Sequence, residues 1–197
     1  MKILVVVLVR IFVFLIEIEV ANAFDTGEKV QFERKQILIT ILYLFIGALM
    51  GKENAFTAEL VAGFFWGSFA AAAYSDWQIK KAYDFMLWIA ILSAMLTMIT
   101  TGQFSEQRIT ELVIFFLMQW CVFRHLYGGA DCLSSSACAV YLAALGKGIL
   151  PALWLLTAAW ILFLIVQVVK KNIDKRGKLK NGKPFIPYMA MALLLFI

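Results

Sequence analysis

The sequence predicts an all-α protein: a polytopic helical bundle in a membrane, with about six to eight transmembrane helices. Three observations carry this expectation. First, 63% of the 197 residues are hydrophobic and 16% are charged, and the mean hydropathy is +0.86. Soluble domains run nearer roughly half apolar and a quarter charged. A soluble core built from a chain this short cannot enclose so much apolar sequence, so the surplus must face lipid. Second, the apolar residues come in long runs divided by short polar segments. Third, the basic residues gather in alternate connectors, the signature of a multi-pass chain. The main unit is a membrane-embedded bundle over 36–197, preceded at 1–35 by an apolar segment and a polar connector.

The elements follow in order. Residues 3–20 are apolar but carry Arg10, Glu17 and Glu19. With Lys2 before them and Ala21-Asn22-Ala23 after, they imitate a signal peptide. Arg10 inside the apolar region argues against an ordinary signal sequence, and an extra span or an interfacial helix fits as well. Residues 25–36 form the connector, and 37–51 a short apolar span. Residues 57–74 form the next span, with the small run Ala70-Ala71-Ala72-Ala73 that lets helices approach closely. A polar segment at 75–81 leads to a span at 85–101 and a polar turn at 102–108. The span at 109–127 ends near Arg124, His125 and the pair Gly128-Gly129, and 133–148 makes a weaker helix. Pro151 then marks a helix start, since a first turn needs no proline N–H, and that helix runs to Val169. A basic loop at 170–183 precedes a last apolar segment, 184–197, short for a full span.

Counted alternately, the connectors holding Lys29, Arg34, Lys35, Lys80, Lys81, Arg124 and the basic loop fall on one side. The connectors near 52–56 and 102–108 hold few basic residues. The basic side is therefore expected to be cytoplasmic, in a plasma (inner) membrane. The net charge of +5 reads as attraction to anionic lipid, not as nucleic-acid binding. The lipid bilayer is thus the first expected partner.

Residue types that support chemistry are scarce. Cys121, Cys132 and Cys138 form no C-x-x-C pair and read as small packing residues. The one histidine, His125, reads as an interfacial residue at a helix end. No zinc-protease, phosphate-loop or dinucleotide motif is present, so neither a metal nor a cofactor is expected. Two aspartates remain: Asp76 after one span and Asp131 after another, both at the cytoplasmic boundary. A carboxylate near lipid is usually paired, solvated in a cavity, or functional. Two brought together tend to share a proton, which suits general acid–base hydrolysis without metal or nucleophile. Solvated surface aspartates are the plain alternative.

Local sequence sharpens the choice. Gly128-Gly129-Ala130-Asp131 resembles the G-x-G-D signature of the prepilin and preflagellin peptidases, an intramembrane aspartyl protease family. Asp76-Trp77-Gln78-Ile79-Lys80-Lys81-Ala82-Tyr83-Asp84 resembles the family's first motif, and the stretch through Pro184 and Pro187 resembles its proline-led entry into the last helix. The order of these segments fits as well, over roughly residues 57–197. The chain departs from the pattern at Ala130, where the second glycine usually stands, at Ala82-Tyr83-Asp84, where Ile-Pro-Asn is usual, and at Leu133, where a lysine often stands.

The resemblance implies that Asp76 and Asp131 are the catalytic pair, supported by Gly128, Gly129, Ala130 and Pro187. Asp84 is then an extra acid, a substrate contact or a solvated loop residue. The implied partner is a prepilin-like precursor with a short basic leader and an apolar helix, cleaved at the cytoplasmic face. Acidic groups such as Asp84, or anionic lipid, would attract that leader. Nothing resembles the cysteine-rich domain of the larger members, so peptidase activity without N-methylation is expected. The rivals are a catalytically degenerate homologue acting in pilus or secretion assembly, and a small transporter using the aspartates as ion sites.

Overall fold

The computed structural model describes residues 1–25, 27–51, 55–173 and 184–197, and these form helices with no strand among them. In chain order they are α1 (Lys2–Phe24), α2 (Arg34–Met50), α3 (Phe56–Ile79), α4 (Asp84–Thr100), α5 (Glu106–Met118), α6 (Arg124–Tyr127), α7 (Gly129–Ala144), α8 (Ile149–Ile173) and α9 (Ile186–Leu193). A π-helical segment, Gln119–Phe123, joins α5 to α6. The basic residues of 174–183 and the connector at 52–54, both used in the orientation argument, lie outside the described residues.

Helices α3 and, over Ile149–Val169, α8 are long and apolar enough to cross a bilayer; α4 is apolar but shorter. At about 1.5 Å per residue, the eight residues of α9 reach about 12 Å, far short of a bilayer core.

The helices overrun the apolar runs. Helix α3 takes in Ser75, Asp76, Trp77, Gln78 and Ile79, expected in a polar connector. The helix stops only where Lys80 turns left-handed at φ 58°, its N–H bonding the Asp76 carbonyl at 3.1 Å. A backbone already inside a bundle meets its own hydrogen bonds best by staying helical, so side-chain polarity alone does not end it. For the same reason α7 starts at Gly129 and not near 133, placing Asp131 within its first turn.

Helix α3 sits at the centre. Helices α1, α2, α4 and α9 pack on it, and α7 packs on α4, α8 and α9. Its run Phe69 to Ala73 is enclosed. Phe65 of α3 stacks on Tyr141 of α7 with ring centroids 4.1 Å apart. Glycines on α3 admit α1: a Cβ at Gly67 would lie 2.8 Å from the Arg10 carbonyl oxygen and 2.7 Å from the Val13 Cβ. Only glycine permits that approach.

The core also holds charge. Arg10, fully buried, donates to Glu59 at 3.2 Å and to the Leu44 carbonyl at 3.3 Å, with its guanidinium 5.0 Å from the Trp66 ring centre. Trp66 Nε1 donates to the Tyr141 hydroxyl at 2.9 Å. Farther along α1, Ser68 donates to the buried Glu17. Buried charge persists where it is paired, and these pairs tie α1 into the bundle.

Two polar rims result. At one, Asp25 accepts from Lys81 and Tyr83, Tyr74 and Gln78 hold Gln31, and Asp76 meets Phe185 and Ile186. At the other, Thr101 bonds the Ala144 carbonyl, Arg108 the Gly146 carbonyl, and Lys147 the Phe196 and Ile197 carbonyls. Between the rims, large apolar side chains such as Phe12, Leu42, Leu92, Leu96, Ile114 and Leu164 stand exposed.

Candidate active site

Asp76 lies on the last full turn of α3 and is 8% exposed. Its Oδ2 accepts the backbone N–H of Phe185 at 2.9 Å and of Ile186 at 3.1 Å. Those donors open α9, where the first N–H groups have no partner within the helix. Pro187, second in α9, has no N–H and stands where none is needed. The carboxylate thus caps a helix distant in sequence, and the helix holds the carboxylate in place. The Lys80 ammonium and the Tyr188 phenol lie within electrostatic reach of Asp76.

Asp131, half-buried, stands in the first turn of α7 at the same rim. It is within electrostatic reach of Asp76. The positive end of the α7 dipole favours a carboxylate there. Next to it, Cys132 donates its thiol to the Gln119 carbonyl at 3.2 Å, joining α7 to the π-helical segment. Such segments place extra backbone into a helix and recur near functional sites. Ser134 donates to the Met189 sulfur at 3.6 Å, which joins the same turns of α7 to α9.

The glycines between α6 and α7 act through dihedral freedom. Gly128 adopts φ 103° and ψ 164°, outside the range of ordinary side-chain-bearing residues. Its carbonyl accepts the Cys132 N–H at 3.2 Å and starts α7. Among the described residues, a Cβ at Gly128 or Gly129 would meet nothing within 4 Å. Ala130 is half-buried against the core.

Asp84 is the first residue of α4 and is exposed. A helix start favours an acid, so it has a structural use there and is not a loop residue. His125 lies exposed within α6. Cys132 and Cys138 are buried, consistent with packing, whereas Cys121 is exposed. Among the described residues, no three His, Cys, Asp or Glu side chains gather as a metal site would require.

Beside the site, the α3–α4 turn is latched to the α1–α2 connector. Asp25 accepts from the Lys81 ammonium, from the Gly27 N–H at 2.9 Å and from the Tyr83 hydroxyl at 2.9 Å. In that order these bonds hold its carboxyl down at about 2, while burial and the Asp25 bond push the Tyr83 phenol up to about 12.

Sequence reasoning missed the N–H groups of residues 185 and 186 as partners of Asp76. The signal present was Pro187 with Pro184, which marks a helix start whose free donors need an acceptor. No family model, curated protein or solved structure matches this chain.

Proposed function

We propose that the chain is a multi-pass membrane protein and an aspartic endopeptidase that cuts a prepilin-like precursor at the cytoplasmic face, with Asp76 and Asp131 as its catalytic pair. The single observation that carries this reading is that two carboxylates 55 residues apart come within electrostatic reach at one rim of a helical bundle, Asp76 capping the start of α9 and Asp131 lying in the first turn of α7. The belt of exposed apolar side chains between two polar rims supports the membrane assignment, since soluble monomers rarely expose contiguous apolar surface of that kind. The resemblance of the segments around both aspartates to prepilin and preflagellin peptidases supports the substrate class.

The surroundings of the two acids suggest their roles. Asp76 receives two backbone N–H bonds and faces Lys80, an environment suited to a carboxylate. Among the described residues no such donors serve Asp131, which has a neighbouring acid instead. Asp131 therefore carries the shared proton. Asp76 takes a proton from water, and the resulting hydroxide adds to the scissile carbonyl carbon as Asp131 gives its proton to the carbonyl oxygen. Collapse of the tetrahedral adduct re-forms the carbonyl and breaks the C–N bond. The proton on Asp76 leaves with the amine, and the hydroxyl proton of the adduct returns to Asp131. Position and protonation suffice, and no nucleophilic side chain is needed.

A second reading has its own observation. The two N–H bonds to Asp76 are also what a purely structural helix cap would show, and a non-enzymatic assembly protein would retain them. Purified chain in lipid, given a prepilin-like substrate, separates the two. Asp76→Asn and Asp131→Asn are each expected to lower cleavage by roughly 10²–10⁴-fold, the range for loss of an acid–base group, while the protein remains folded. Cleavage that persists in either folded variant excludes the aspartic mechanism, and no cleavage by the unaltered chain favours the assembly protein.

A further inference from the structure

Glu17 is a buried titratable group that the proposed reaction does not use. It is 4% exposed and shares its face of α1 with the buried apolar residues Val13, Phe14, Ile18 and Ala21. On the other face, Phe12, Leu15 and Ile16 are exposed, as a lipid-facing surface would be. At about 1.5 Å per residue, Glu17 stands about 12 Å from Asp25 at one rim and about 22 Å from Lys2 at the other. A hydrocarbon core is about 30 Å thick, so a bilayer crossed from rim to rim places this carboxyl well inside it.

Its partners supply no charge. Ser68 of α3, itself enclosed, donates its hydroxyl to Glu17 Oε1. Glu17 Oε2 is buried with no hydrogen-bond partner among the described residues. Helix α1 packs on α3 and α2, and the charged and titratable groups of these elements are engaged elsewhere. Arg10 lies seven residues back along α1, about 10 Å along the axis, and is held by Glu59 of α3 and the Leu44 carbonyl of α2. Glu19 is exposed. On α3, Asp76 caps α9 and the Tyr74 hydroxyl serves the α1–α2 connector. On α2, Arg34 and Lys35 are exposed in the first turn, and the Tyr43 ring lies against Trp66. None of these groups acts on Glu17, whose carboxyl is influenced by its burial and by the Ser68 hydroxyl.

We propose that Glu17 is a proton-binding site, formed where α1 packs on α3, whose carboxyl is neutral in the folded membrane protein. An ionised carboxylate at this depth needs a cation or several donors, and Glu17 has one hydroxyl. With a proton on Oε2, Oε1 still accepts from Ser68 and no charge remains in the apolar interface. The carboxyl gains that proton from water before it is enclosed, so the joining of α1 to α3 takes up one proton. Arg10 meets the same demand differently: it keeps its charge because Glu59 faces it. The site is separate from Asp76 and Asp131 and stands whether or not the chain is a peptidase.

The test is infrared spectroscopy of the full chain in lipid nanodiscs at neutral pH, with glutamate isotope-labelled at its side-chain carboxyl carbon. The unaltered chain is expected to show a C=O stretching band of a protonated carboxyl that moves with the label. The label separates this band from any proton held by Asp76 or Asp131. Glu17→Gln, which keeps an oxygen for Ser68, should lose the band. Ser68→Ala should keep it and shift it to higher frequency, since a carbonyl that loses a hydrogen bond stretches faster. The fold of each variant is checked by its elution and helical signal. A labelled chain without the band, or a band that survives Glu17→Gln in a folded protein, would overturn the proposal. Loss of carboxylate bands alone in Glu17→Gln would do the same, because it would show an ionised side chain held by a cation. Should Glu17→Gln fail to fold, the unaltered chain and Ser68→Ala decide: a band that Ser68→Ala leaves unmoved belongs to another glutamate and sinks the assignment.

Discussion

Asp76 meets two demands that mutation can separate. Its Oδ2 satisfies the Phe185 and Ile186 N–H groups in a buried setting. Asp76→Ala leaves both donors without an acceptor, and a buried unsatisfied group costs about 1–3 kcal/mol. Asp76→Asn keeps a carbonyl oxygen in place and is expected to lose much less. Thermal unfolding in detergent should therefore rank wild type, Asn and Ala in falling order. If Ala and Asn unfold together near wild type, the cap to α9 contributes little, and α9 must be held by its packing alone. The same position shows what residue-scale sequence reading reaches. The aspartate stood out because acids near apolar runs are rare, but its partners did not. Backbone N–H groups leave no mark in a sequence, and residues 185 and 186 are more than a hundred positions away. Arg10 and Glu59 show a similar limit, because nothing in either apolar run pairs a charge with another 49 residues along the chain.

At the scale of elements, close approach of α1 to α3 depends on the absence of a side chain at Gly67. Gly67→Val would drive its Cβ against the Arg10 carbonyl oxygen and the Val13 side chain, and overpacking of this kind costs about 1–3 kcal/mol. Because Arg10 is displaced with α1, its bond to Glu59 should weaken too. Gly148, whose Cβ would make only an ordinary contact with the Glu111 side chain at 3.7 Å, serves as the control site. A lowered unfolding temperature in Gly67→Val and loss of α1 protection in hydrogen exchange are the expected readouts, and unchanged exchange in α1 would show that the helices can separate without loss. A second device of this scale is the latch between the α1–α2 connector and the α3–α4 turn. The Asp25 carboxyl is held below its ordinary 3.8, at about 2, by Lys81, the Gly27 N–H and Tyr83. A depressed carboxyl contributes stability that is full above its unfolded value and is lost as pH falls through its folded value. The latch should therefore loosen between about pH 4 and pH 2. Protease nicking of the connector at Lys29 should rise over that window in wild type and be already high, and flat with pH, in Asp25→Asn. Helix existence was legible from apolar runs, since each run lies on an observed helix. Helix ends were not, because interior backbone stays hydrogen-bonded through polar residues such as Ser75 and Gln78. The π-helical segment was also hidden, because an added backbone residue does not disturb an apolar run.

For the whole molecule, charge asymmetry between the rims sets an expectation about sidedness. Among the described residues, Lys29, Arg34, Lys35, Lys80, Lys81 and Arg124 belong to the rim that holds both aspartates, and Lys2, Arg108 and Lys147 to the other. Translocation disfavours the more basic connectors, so the aspartate rim should face the cytoplasm. In the proposed peptidase, this orientation would let the two acids reach a leader held outside the bilayer on that side. Single cysteines test it. With the exposed Cys121 changed to Ser, Arg34→Cys reports the aspartate rim and Gln107→Cys the other, and both positions are exposed. A membrane-impermeant maleimide added to sealed inverted vesicles should label position 34 and spare position 107, and right-side-out vesicles should give the reverse. Labelling of both positions from one side would place both rims in the same compartment. The exposed apolar belt would then need a covering other than a bilayer crossed from rim to rim, and a leader presented from the cytoplasm would have no defined route to Asp76 and Asp131.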